Sequence, residues 1–254
     1  MIRLAVFLVA FAAVFQARAQ GLLVYLSAGD QSDVARNVAL IRDSLSAHAI
    51  SFEQYRITDD RSIARHAAEV LEVIGHFRAT SGTAKVLLLS ERESNFVALD
   101  VLAKDSAIAG LISMDGIYED GRDYLYSNIS IRENMEHLDS ISYDREKERS
   151  LQRIYGMLQD AGEGIEVSRP DDSDKYAAEL YRLLQTSLGR SLTEYVLAER
   201  LSRIKSAIYL YFNIDSNDIN SINLCTIGNR YGVNYTPFVP RDLISGCIQL
   251  LTDH

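Results

Sequence analysis

The chain of 254 residues has no tryptophan, three prolines and only two cysteines. No Cys-x-x-Cys, His-x-x-x-His or His-Glu-x-x-His spacing occurs among its five histidines and two cysteines, so no metal site and no cofactor are expected. No glycine-rich phosphate loop of either the dinucleotide or the Walker type occurs, which leaves a nucleotide without its usual cradle. Positive charge is scarce: 26 Lys and Arg face 35 Asp and Glu, a net charge of -9. That balance argues against nucleic acid or an anionic membrane surface as partner. Long apolar runs are missing too. Leu4 to Phe15 is too short to span a bilayer, and no other stretch matches it.

What remains has the composition of an ordinary globular protein, 47% apolar and 24% charged. A chain of this length buries enough surface to fold without a metal or a disulfide. The N-terminus carries a specific signal. Arg3 precedes the apolar run, and Ala17-Arg18-Ala19 is a small-x-small cleavage site. Residues 1–19 therefore read as a signal peptide, with cleavage after Ala19 and Gln20 as the new N-terminus. Removing them takes away Arg3 and Arg18 and no acid, so the mature chain is more acidic still. The expected location is periplasmic or secreted, and the short apolar segment suits a bacterial periplasm. In an oxidising compartment Cys225 and Cys247 would close a disulfide. Its loop of about twenty residues is worth roughly 3 kcal/mol by chain entropy. The alternative is two buried free thiols.

From Gly21 onward short apolar runs alternate with helical periodicity. Gly21 to Ala28 is continuously apolar, as in a strand buried on both faces. Val34, Val38, Ile41 and Leu45 share a helical face, Ser51 to Ile57 reads as a second strand, and Arg61 to Phe77 as a helix capped by Thr58-Asp59-Asp60. Lys85 to Leu89 is a third strand, followed by the turn Ser90-Glu91-Arg92-Glu93-Ser94 and a helix to about Lys104. Gly110 to Met114 is a fourth strand. Beyond it Ile117 to Ile131 reads as a polar excursion. His137 to Tyr143 and Glu163 to Ser168 read as further strands, separated by a charged helix from Arg145 to Gln159. A helix to Leu188 ends at Gly189, another runs from Leu192 to Ile204, and Ala207 to Ile214 is a last strand.

Strands separated by helices mean βαβ units, hence an α/β protein with a mostly parallel, doubly wound sheet and helices on both faces. Residues 20–190 form the main domain. Residues 191–254 form a C-terminal helix-strand-loop appendage packed on the same domain. Ligands in such sheets sit beyond the carboxyl ends of the strands. Gly29, Asp30 and Asp115 would edge that site, with Arg92 at a helix N-terminus as a cation for an anionic ligand.

The strand-turn-helix from Lys85 to Leu99, and the element order around it, resemble the α/β-hydrolase fold over Gly21 to Leu188. The chain is similar to the exported α/β-hydrolase-like proteins of proteobacteria. The resemblance implies a three-layer sandwich and a nucleophile elbow at Ser90 to Ser94. Ser90 and Ser94 stand at the small-residue positions of that elbow, and Arg92 stands where the nucleophile belongs. A guanidinium stays protonated and offers no usable lone pair. The resemblance places the acid after the next-to-last strand, at Asp144, and the histidine after the last, where Pro170 to Asp174 contains none. Without nucleophile and base there is no acyl transfer. His48, His66, His76, His137 and His254 read as surface or edge residues.

The function expected from these residues is therefore that of an exported, non-catalytic α/β-hydrolase-like protein, binding a ligand or an envelope protein partner. The alternatives are an esterase-like serine hydrolase using Ser90 or Ser94 as nucleophile, and a small anionic-ligand binder at Arg92.

Overall fold

The computed structural model describes residues 20–28, 38–81, 85–136, 145–171, 173–211, 228–238 and 242–252. Six parallel strands make one sheet: β1 (Gly21–Ser27), β2 (Ile50–Arg56), β3 (Lys85–Glu91), β4 (Gly110–Met114), β5 (Ala207–Tyr211) and β6 (Tyr235–Phe238). Their spatial order is β2-β1-β3-β4-β5-β6. The chain steps from β1 outward to β2 and then crosses back to β3, so the order reverses between β1 and β3.

Alternation along the strands builds two faces. Leu23 and Tyr25 of β1 and Leu87 and Leu89 of β3 point to one side. They pack there against Ile41 and Leu45 of helix α1 (Val38–Ser46) and Cys247 and Leu251 of a C-terminal helix, Leu243–Thr252. Leu22, Val24 and Leu26 with Val86 and Leu88 point to the other side. Their partners are Ile63, Ala67, Val70 and Ile74 of α2 (Ile63–Ser81) and the apolar residues of α3 (Asn95–Lys104). Every residue of β1 is buried, as its unbroken apolar run requires. Each such leucine contributes roughly 2 kcal/mol of transfer free energy.

Between β4 and β5 the described residues leave the sheet for five helices: α4 (Gly121–Glu136), α5 (Arg145–Gly162), α6 (Lys175–Leu184), α7 (Ser187–Thr193) and α8 (Leu197–Leu201). The C-terminal helix is α9. Gly121 shows how closely this insertion is folded. A Cβ there would stand 2.0 Å from the carbonyl oxygen of Leu192, so only glycine lets α4 start against α7.

Several boundaries differ from those the sequence suggests. Residues 121–131 belong to α4 rather than to an irregular excursion. Glu163 to Ser168 is not a strand. It is largely exposed irregular chain after Gly164, which has φ 72°, and no neighbouring strand offers it hydrogen bonds. Leu192 to Ile204 is two short helices, because Tyr195 turns inward between them and is buried. Gly189 ends no helix. It lies within α7, where a Cβ would meet the Leu183 carbonyl oxygen at 2.1 Å. The stretch 191–254 enters the sheet itself, supplying β5 and β6 beside β4 and α9 on one face. The expected strand at His137 to Tyr143 lies outside the described residues.

Candidate ligand site at the carboxyl edge of the sheet

Parallel register carries Ser27, Glu91, Met114 and Tyr211 to the same edge of the sheet. The reversal of strand order lies between β1 and β3, which is where doubly wound sheets open a crevice. The turn after β3 stands at that reversal.

Its apex is Arg92, with φ 48°, in the left-handed region that few non-glycine residues adopt. A 3-10 turn, Arg92–Ser94, then runs straight into α3. The base of the turn explains why the backbone holds this conformation. Ser94 Oγ accepts from the Glu91 N–H and donates to the Glu91 carbonyl, both at 2.8 Å. Asn95 is fully buried beneath it. Its Oδ1 accepts from Ser90 Oγ at 3.0 Å and Ser113 Oγ at 3.2 Å, and its Nδ2 donates to the Ile117 carbonyl at 2.9 Å. One amide thus ties the ends of β3 and β4 and the loop after β4. Gly116 is required in that loop, since a Cβ would fall 2.1 Å from Ser113 Oγ and 2.8 Å from Asn95 Cγ.

The two acids that flank Arg92 are already engaged. Tyr25, buried on β1, donates its hydroxyl to the Glu91 carboxylate. Tyr124 of α4 donates to Glu93 Oε1 at 2.8 Å, and Asn128 Nδ2 donates to the Tyr124 oxygen at 3.0 Å. Burial, reinforced by the Glu93 charge, pushes the Tyr124 phenol above its ordinary range, so it keeps its proton and stays a donor. Among the described residues Arg92 makes one long ion-pair contact, Nη2 to Glu93 Oε1 at 3.8 Å, and its side chain is 71% exposed. An ion pair that exposed and that long adds little.

The remaining expected site residues divide clearly. Asp115 also sits at a strand end with positive φ, 48°, and is exposed. Gly29 and Asp30 lie outside the described residues. Ser90 and Ser94 are fully buried, with both hydroxyls committed inside the turn as described. Cys247 is buried on α9, and burial pushes its thiol up to about 12; Cys225, its expected disulfide partner, lies outside the described residues. Asp144 also lies outside them, and Pro170 to Asp174 follows no strand. Among the described residues the last two strands are β5 and β6, so the resemblance would place an acid and a histidine after Tyr211 and after Phe238 instead. From Val239 onward the sequence has one histidine, His254, also outside the described residues. Among the described residues no group of three His, Cys, Asp or Glu side chains is placed to hold a metal. No helix among them is long and apolar enough to cross a membrane.

His66 departs from its expected place at the surface. It is fully buried on α2, with both ring nitrogens engaged by Tyr55 and Thr58. The signal was present in the spacing: His66 falls three residues after Ile63 and four before Val70, on the helix face that packs inward.

No protein-family profile matches the chain, and no curated protein matches it. Solved structures do. Est1E from Butyrivibrio proteoclasticus is similar at 9% identity and a TM-score of 0.50, over 93% of this chain and 87% of that one. The same protein with ferulic acid bound is similar at 8% identity and a TM-score of 0.52, over 93% and 88%. At such identities the likeness is one of fold. The chain has the α/β-hydrolase-like fold, a parallel six-stranded sheet with helices around it.

Proposed function

We propose that this is an exported binding protein that uses the α/β-hydrolase-like scaffold without its acyl-transfer chemistry. Arg92, at the apex of the turn where the strand order reverses, receives an anionic group of a ligand or of an envelope partner. The observation that carries this reading is the apex itself, a left-handed backbone position occupied by an exposed guanidinium. Tyr25 and Tyr124 support it, because they hold the neighbouring carboxylates and leave the arginine's charge weakly compensated among the described residues. The buried, committed hydroxyls of Ser90 and Ser94 weigh against the esterase reading, which needs one of them turned outward. Export rests on the signal-peptide pattern of residues 1–19.

One experiment tests both parts. The full chain is expressed with its own N-terminal segment, recovered from outside the cytoplasm, treated with a fluorophosphonate probe and weighed intact. The expected mass is that of residues 20–254 with no adduct. A probe adduct lost in Ser90→Ala or Ser94→Ala would establish a serine hydrolase and overturn the non-catalytic reading. A mass that retains residues 1–19 would overturn cleavage after Ala19.

A further inference from the structure

Arg92 has a carboxylate on either side in sequence, and the placement of Glu93 decides how much of its charge reaches an incoming ligand. Glu93 follows Arg92 directly, yet its Oε1 stays 3.8 Å from Nη2. The same oxygen accepts the Tyr124 hydroxyl at 2.8 Å. Tyr124 is itself fixed from two sides. Asn128, one helical turn further along α4, donates to its oxygen at 3.0 Å, and its ring lies against Phe96 of α3 with centroids 5.4 Å apart. Phe96 in turn meets the buried Tyr195 edge to face at 4.9 Å. The tyrosine is the anchored member of the pair, and Glu93 is held where Tyr124 stands.

Two other pairs of an arginine and an acid adjacent in sequence show both sides of this arrangement. At the corner between β2 and α2, where His66 is buried, Thr58 donates its hydroxyl to Asp60, and Arg61 Nε stays 4.0 Å from that carboxylate. On α8 no hydroxyl among the described residues holds the Glu199 carboxylate, and Arg200 Nη1 closes on it at 3.0 Å. In these two pairs the acid stands apart where a hydroxyl holds it and closes where none does.

We propose that Tyr124 is a positioning residue for the site at Arg92: by holding Glu93 it keeps that carboxylate from closing on the guanidinium, and so reserves the guanidinium for an anion arriving from solution. This rests on the anion-binding reading of Arg92 and extends it. The hydroxyl comes from α4, so the insertion between β4 and β5 sets what the turn after β3 can receive. Without the hydroxyl, rotation about the Glu93 side chain brings its carboxylate onto the neighbouring guanidinium, as at Arg200. Glu93 would then act as a built-in competitor for any external carboxylate.

The test is the rate at which phenylglyoxal, an arginine-specific dicarbonyl, modifies Arg92 in the full chain. It is read by peptide mass spectrometry, with and without acetate at constant ionic strength. Acetate should protect Arg92 in the wild type. Tyr124→Phe keeps the ring on Phe96 and should slow the modification about threefold, the size of an exposed ion pair. In a Glu93→Gln background Tyr124→Phe should have no effect, since the neutral amide brings no charge to the guanidinium. A Tyr124→Phe rate equal to wild type would overturn the positioning role. So would an equal loss in the Glu93→Gln background, which would mark a structural effect only. No protection by acetate in the wild type would overturn the anion-binding reading, and with it the reservation of the guanidinium, even with both variants behaving as expected.

Discussion

The turn at Arg92 and the corner at His66 sit at the ends of strands in the same sheet, yet they are built in opposite ways. At the turn, the backbone has the shape that presents a side chain to a ligand, a left-handed residue between strand and helix, and the residue presented is a guanidinium. At the corner, a histidine, a tyrosine and a glutamate form a hydrogen-bonded chain of the kind catalysis uses, but the ring is fully buried and ties backbone. In the proposed reading, position and chemistry are separated. A reactive-looking cluster can serve packing, and a site-like position can carry a residue unable to react. Only the two together make an active site.

The contrast can be broken most forcefully from beneath the turn. Asn95→Ala would strip the shared partner from the buried Ser90 and Ser113 hydroxyls and from the Ile117 carbonyl. A loss of about 3 kcal/mol in urea unfolding is expected, since each orphaned buried group costs roughly 1–3 kcal/mol. A loss under about 1 kcal/mol would mean that the amide does not organise the turn.

A smaller effect is expected from acid. Asp60, Glu69, Asp171 and Asp242 are each held below the ordinary carboxylate range, chiefly by hydrogen bonds from Thr58, Tyr55, Ser173 and Ser245 in turn. A carboxyl depressed in the folded state stabilises it above the unfolded value, and that gain disappears as pH falls through the folded value. The urea midpoint should therefore hold steady from pH 7 to 5 and drop below about pH 4. The drop should be shallower in Glu69→Gln, because Glu69 belongs to the corner and its contribution is already gone.

The smallest effect concerns Arg92 itself. Among the described residues its side chain makes one long ion-pair contact, while its φ of 48° suits glycine better than any residue with a Cβ. Arg92→Gly should raise stability by about 1 kcal/mol in the same assay, the usual size of the left-handed penalty. A loss of stability would show that the guanidinium holds the turn together instead of facing a ligand.

Much of the sheet was legible in the residues alone. β1 and β3 are continuous apolar runs because they are covered on both faces, and α2 shows its inward stripe at Ile63, Ala67, Val70 and Ile74. The turn at Ser90 to Ser94 was legible as a strand-helix junction for the same reason. The insertion was less readable. Its helices are short and meet each other through backbone approaches at Gly121 and Gly189, which no periodicity records. β5 was legible as part of the run Ala207 to Ile214, whereas β6, four residues long and containing Pro237, was not. Their distance in sequence from β4 let Glu163 to Ser168 pass for a strand that the sheet does not contain.

The sequence by itself determined that the chain is α/β, that β1 and β3 are buried strands, and that the residue between β3 and α3 is an arginine. Those follow from apolar runs, periodicity and identity, which are local properties. Tertiary structure alone decided that Arg92 takes the left-handed apex, that Tyr25 and Tyr124 draw off its acidic neighbours, and that His66 is buried against Thr58. Each of those depends on groups that are distant along the chain and meet only when the sheet closes, so no local pattern could carry them.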